Sequence, residues 1–148
     1  MKKILLPPSI ILFILSLTTN AYAQKKAPDK ILGNKIYTIE LTAQGGKKAA
    51  EPEADEISFK TDKLASKIMK TDFEFEPAPY TVTVDSSAAD GPAISFEAEA
   101  KNSNDEVLKW TGTVKGIDIE GTAVWTTKKG KVKKEYAFTG IQKGKKKK

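Results

Sequence analysis

Apolar and polar residues alternate along most of the second half of this chain. Ile94, Phe96, Ala98 and Ala100 interleave with Ser95, Glu97, Glu99 and Lys101. Leu108, Trp110, Gly112 and Val114 interleave with Lys109, Thr111, Thr113 and Lys115. Ile117, Ile119, Ala123 and Trp125 share one parity, as do Val132, Tyr136 and Phe138. A period of two places one face of each strand on a core and the other in water. The joints are short: Asn102-Ser103-Asn104-Asp105, Gly116 and Lys129-Gly130. Strands joined so tightly are antiparallel neighbours.

The first half continues the pattern. Gly33 precedes a strand expected over Lys35 to Thr42, with Tyr37, Ile39 and Leu41 on one face. Ala43 to Asp55 has no apolar period, so it is expected to be a long mobile loop. Strands are predicted at Glu56 to Lys60 and Lys63 to Lys70, joined at Thr61-Asp62. Asp72 to Tyr80 alternates, but Pro77 and Pro79 exclude a central strand, so an edge segment or corner is expected. Tyr80, Val82 and Val84 mark the next strand, ended by Asp85 to Gly91. No apolar 3.6-residue period extends beyond two turns. The fold class is therefore all-β: one antiparallel up-and-down meander of about eight strands, closed into a barrel or, alternatively, folded as a β-sandwich.

This layout resembles the lipocalin-like (calycin) barrels. The resemblance rests on Gly33 opening the first strand, the long first loop and the run of hairpins to the end. It is one of layout rather than motif. The group's Gly-x-Trp start reads Gly33-Asn34-Lys35 here, with Tyr37 the nearest aromatic. Its last-strand Arg is absent, and Thr71-Asp72-Phe73 mimics its Thr-Asp-Tyr motif too early in the strand order. The resemblance implies a first loop lying over the mouth of a calyx that holds a small ligand.

Charge changes the picture at the two ends of the chain. Lys2-Lys3, an apolar run from Ile4 to Leu17 and Ala21-Tyr22-Ala23 read as a secretory signal over residues 1–23, cleaved before Gln24. Residues 24–32 read as a flexible lead-in, 33–142 as the barrel and 143–148 as a Lys-rich tail. The mature protein is expected in the periplasm or outside the cell. The formal charge of +6 comes entirely from lysine, with no Arg and no His. Setting aside Lys2, Lys3 and the five tail lysines leaves 18 lysines against 19 acids over residues 24–142, so the body is expected to be near neutral. There is no Cys, hence no disulfide and no thiolate metal site.

Without His or Cys, the common nucleophile–base pairs cannot form. Glu74 and Glu76 could pair as hydrolytic carboxylates, or face solvent opposite Phe73 and Phe75. Glu51, Glu53, Asp55 and Glu56 read as a solvated acidic loop without ordered cation-ligand spacing. Asn102, Asn104 and Asp105 read as turn residues. No cofactor and no metal site is expected, and the chain is not expected to be an enzyme.

The inward aromatic face is the better candidate. Phe59, Phe96, Leu108, Trp110, Ile119, Trp125, Tyr136 and Phe138 are the interior ligand-binding candidates. Ala98, Ala100, Gly112, Gly121, Ala123 and Gly140 stand between them. Small residues among large ones leave either a cavity or room for rings to interdigitate. The leading expectation is thus a non-catalytic exported barrel holding a small, mostly apolar ligand. A filled barrel or sandwich acting as a surface interaction or inhibitor module is the alternative, and a small transmembrane barrel the third. Lys145 to Lys148 could touch an anionic surface weakly, but nothing suggests sequence-specific nucleic-acid binding. The oligomeric state is open.

Overall fold

The computed structural model describes residues 31–145. The expected leader over 1–23, most of the lead-in, and Lys146 to Lys148 lie outside the described residues. Eight antiparallel strands follow one another around a closed barrel. They are β1 (Ile36–Ala43), β2 (Glu53–Lys60), β3 (Lys63–Ser66), β4 (Ala78–Asp85), β5 (Ala93–Lys101), β6 (Val107–Lys115), β7 (Asp118–Thr126) and β8 (Val132–Gln142). Closure comes from β1 and β8, which pair from Tyr37↔Gln142 to Ala43↔Tyr136. The barrel is settled over the sandwich.

The joints use backbone geometry that few residues supply. Thr61 and Asp62 both have positive φ (52° and 57°), the conformation of a two-residue hairpin whose twist matches its strands. Gly116 (φ 60°) turns β6 into β7, and Gly130 (φ 83°) turns β7 into β8. At the β5–β6 joint the Asn102 side-chain oxygen accepts from the backbone N–H of Asn104 and of Glu106. Asn102 is thus a turn-builder.

Three segments depart from the sequence reading. The strand expected over Lys63 to Lys70 stops at Ser66, and a short helix, α1 (Lys67–Phe73), follows. Ser66 caps it, its hydroxyl accepting from Met69 N–H, while Glu74 ends it in the left-handed conformation. The loop expected over Ala43 to Asp55 is shorter, because β2 begins at Glu53. Asp55 is consequently a buried strand residue rather than part of a solvated acidic loop. Its carboxylate accepts from Ser66 Oγ and from the backbone N–H of Glu56 and Ile68, tying β2 to the start of α1. Finally Leu32, assigned to the lead-in, is fully buried in the core.

α1 and Leu32 occupy opposite ends of the barrel. α1 leaves β3 at the end that carries the 44–52 loop and the β5–β6 and β7–β8 turns. It buries Met69 there, and Phe75 just beyond it is buried too. Leu32 precedes β1 at the end with the Gly116 turn and the last residues of β8. The β3–β4 seam is the thinnest, with two paired positions, Lys63↔Pro79 and Leu64↔Ala78.

Candidate functional site

All eight interior candidates are buried. Phe59, Phe96, Leu108, Trp110, Ile119, Trp125, Tyr136 and Phe138 range from 0% to 6% exposed. Strand register brings them together. Ala98 lies opposite Trp110, and Trp110 opposite Ala123, so the strand on either side of the indole offers a small neighbour. Phe59 sits edge-on to Tyr37, Tyr80 and Phe96, with centroids 5.9, 4.9 and 5.1 Å away. Trp110 sits edge-on to Phe138 at 5.5 Å. Such edge-to-face pairs add about 0.5–1.5 kcal/mol each beyond simple burial.

The inward glycines carry the rings. Phe96 is the cross-strand partner of Gly112, and a Cβ at Gly112 would overlap the Phe96 ring. Phe138 is the partner of Gly121, whose Cβ would lie 2.7 Å from that ring. Gly140, between Ile39 and Ile119, would strike Ile39. Of the two options that small residues among large ones leave open, Gly112 and Gly121 provide interdigitation of rings.

Both ends are covered by side chains as well. Phe73 and Phe75 pack edge-on against Trp125 at 5.0 and 5.1 Å. The alternation read as an edge segment instead places both rings over the barrel end. Trp125 is fixed from outside too: its indole N–H donates to Glu106 Oε2 at 3.1 Å. Glu106 also accepts from the Asn102 amide and the Lys133 ammonium, the latter at 2.8 Å. Lys133 lies over the Trp125 ring, 4.3 Å from its centroid. These bonds, Lys133 first, hold the Glu106 carboxyl below its ordinary range. The reading of the sequence missed this arrangement because Glu106 stands in a turn with no periodic signal.

One interior polar atom lacks a partner. The Tyr37 hydroxyl makes no hydrogen bond, although the residue is 0% exposed. Burial pushes its pKa up to about 12. An unpaired buried hydroxyl costs about 1–3 kcal/mol.

The described concavities open to solvent. One, about 700 Å3, runs between Lys70, Glu74, Glu76 and the Glu99–Ser103 stretch, lined also by Pro77 and Pro79. Glu74 and Glu76 are both exposed, and Glu74 accepts from the Ser103 hydroxyl. A second depression of about 680 Å3 lies on the outside of β5 to β8, among Ser95, Glu97, Thr111, Thr113, Glu120, Thr122 and Thr139. Among the described residues no group of three or more Asp or Glu side chains is placed to hold a metal ion. No family model, curated protein or solved structure matches the chain.

Proposed function

We propose that the chain is an exported, non-catalytic barrel whose interior is structural and whose partners meet its outer surface. The observation that carries this reading is the fit of Phe96 and Phe138 over Gly112 and Gly121, with Met69, Phe73 and Phe75 over one end and Leu32 at the other. A calyx that takes a ligand needs apolar wall without an apolar filling. The outer face supports the same reading against a transmembrane barrel. It carries Glu40, Glu97, Glu99, Lys109, Glu120 and Glu135, all exposed, where a lipid-facing band would be apolar. The lack of His and Cys and the solvation of Glu74 and Glu76 support a non-catalytic role.

The unpaired Tyr37 hydroxyl favours a second reading, in which a small ligand with a polar atom enters the interior and bonds it. Tryptophan fluorescence separates the two. Trp110 packs on Phe138 at the centre of the wall. Titration with fatty acids, retinoids and tetrapyrroles is expected to leave its emission unchanged. A saturable change that Tyr37→Phe weakens would establish the interior site instead.

A further inference from the structure

The near-neutral charge expected for the body conceals an uneven distribution. Lys128, Lys129, Lys131, Lys133 and Lys134 all fall on the β7–β8 hairpin, and no acid lies between Lys128 and Lys134. The hairpin is ordered. Gly130 N–H and Lys131 O close it onto Thr127, through Gly130 N→Thr127 O at 2.8 Å and Thr127 N→Lys131 O at 2.8 Å. Two of its lysines are neutralised, Lys128 by Asp105 at 2.9 Å and Lys133 by Glu106 at 2.8 Å. Among the described residues Lys129, Lys131 and Lys134 make no ion pair and all three are exposed, Lys134 with its ammonium 5.1 Å from the centroid of the Tyr136 ring. Beside them the first loop leaves β1 bonded to β8, Gln44 N–H donating to Glu135 O at 2.8 Å. Exposed Lys47 and Lys48 follow three and four residues later. Val132, amid the lysines, is 50% exposed, the most exposed large apolar side chain described.

We propose that this hairpin end docks onto a phosphate-bearing lipid surface, with Lys129, Lys131 and Lys134 on the phosphates and Val132 entering the headgroup layer. The inference rests on the surface-acting reading above and names the partner. Lysine is a point charge suited to a diffuse layer of phosphates, and each lysine near an anionic leaflet adds attraction. Val132 supplies an apolar contact that free phosphate could not use. Nucleic acid fits less well. The chain has no Arg, and the aromatics nearest the lysines, Trp125 and Tyr136, are buried and offer bases no stacking face.

The test is co-sedimentation of the chain beginning at Gln24, which contains the whole described barrel, with phosphatidylglycerol–phosphatidylcholine vesicles. Binding is expected to fall with added salt and to vanish on pure phosphatidylcholine. The K129Q/K131Q/K134Q variant is expected to bind about a hundredfold more weakly, at an unchanged melting temperature. Val132→Ser is expected to weaken binding without altering the salt slope. A chain in which K145Q, K146Q, K147Q and K148Q abolish binding while the hairpin variant binds as the parent would overturn the proposal, since the Lys-rich tail and not the hairpin would then be the docking site. So would binding to single-stranded oligonucleotide or inorganic polyphosphate that outcompetes the vesicles. Silence toward vesicles with a silent Trp110 defeats this inference alone. A ligand-induced change at Trp110 defeats the surface-acting reading first.

Discussion

The glycine–ring contacts make the sharpest residue-level statement. A methyl group at Gly112 or Gly121 has no free space to enter. Here it would meet the Phe96 or Phe138 ring and the neighbouring strand. Gly112→Ala and Gly121→Ala are therefore each expected to cost about 1–3 kcal/mol, the usual penalty for overpacking, read from urea midpoints. Unchanged midpoints would show room inside. Tyr37 is tested in the opposite direction. Tyr37→Phe removes a buried hydroxyl without a partner and is expected to raise stability by about 1 kcal/mol at neutral pH. The native pKa lies above the ordinary value, so the tyrosine contributes fully below pH about 10. That contribution is lost as pH climbs toward about 12. Tyr37→Phe should flatten this alkaline decline, and an equally steep decline in the variant would assign it elsewhere. Glu106 has the reverse sign. Its carboxyl is held below the ordinary range, chiefly by Lys133, so its contribution is present at neutral pH and above the ordinary carboxylate range. It is lost as pH falls through the lower native value, and Glu106→Gln should remove that part of the acid dependence.

At the scale of elements, the strands were legible and the helix was not. Period-two alternation with short polar joints located all eight strands, because each buries one face and the turns need Gly, Asn or Asp. α1 escaped for a physical reason. Seven residues hold two turns at most, and Leu64 and Ser66 carry the strand parity right up to its cap. Its formation depends on Asp55, eleven residues upstream, which bonds the cap and the first turn. Ser66→Ala is expected to cost about 1 kcal/mol. Met69→Ala is expected to cost about 2–5 kcal/mol, and to shift Trp125 emission to the red as the covering over it loosens. Blue emission kept intact would mean that Phe73 and Phe75 cover the indole without the helix. The loop expected over Ala43 to Asp55 was to cover the barrel mouth, but it is confined to 44–52, and side chains of α1 and its exit cover the same end. Shortening that loop is accordingly expected to leave the melting temperature nearly unchanged, because long-loop closure costs little.

At the scale of the whole molecule, the interior candidates are all buried, yet sequence could not say whether they line or fill. That depends on cross-strand register, which pairs Phe96 with Gly112 and Phe138 with Gly121, and on two plugs whose place over the barrel ends no period announces. Leu32 is a single apolar residue before a positive-φ Asn34, and the rings of Phe73 and Phe75 gain meaning only once α1 places them over Trp125. The lysine cluster was visible as letters but was averaged away in a net charge, since Asp118, Glu120 and Glu135 sit elsewhere on the same hairpin and the remaining acids on other strands and loops. The central claim is that the barrel is filled. Its most direct test is the volume change of unfolding under pressure, which scales with the internal void eliminated. For a filled interior it should lie near the small end of the range of about 20–100 mL/mol in magnitude. A value near the large end, reduced by an apolar ligand, would contradict the account and show a hollow calyx.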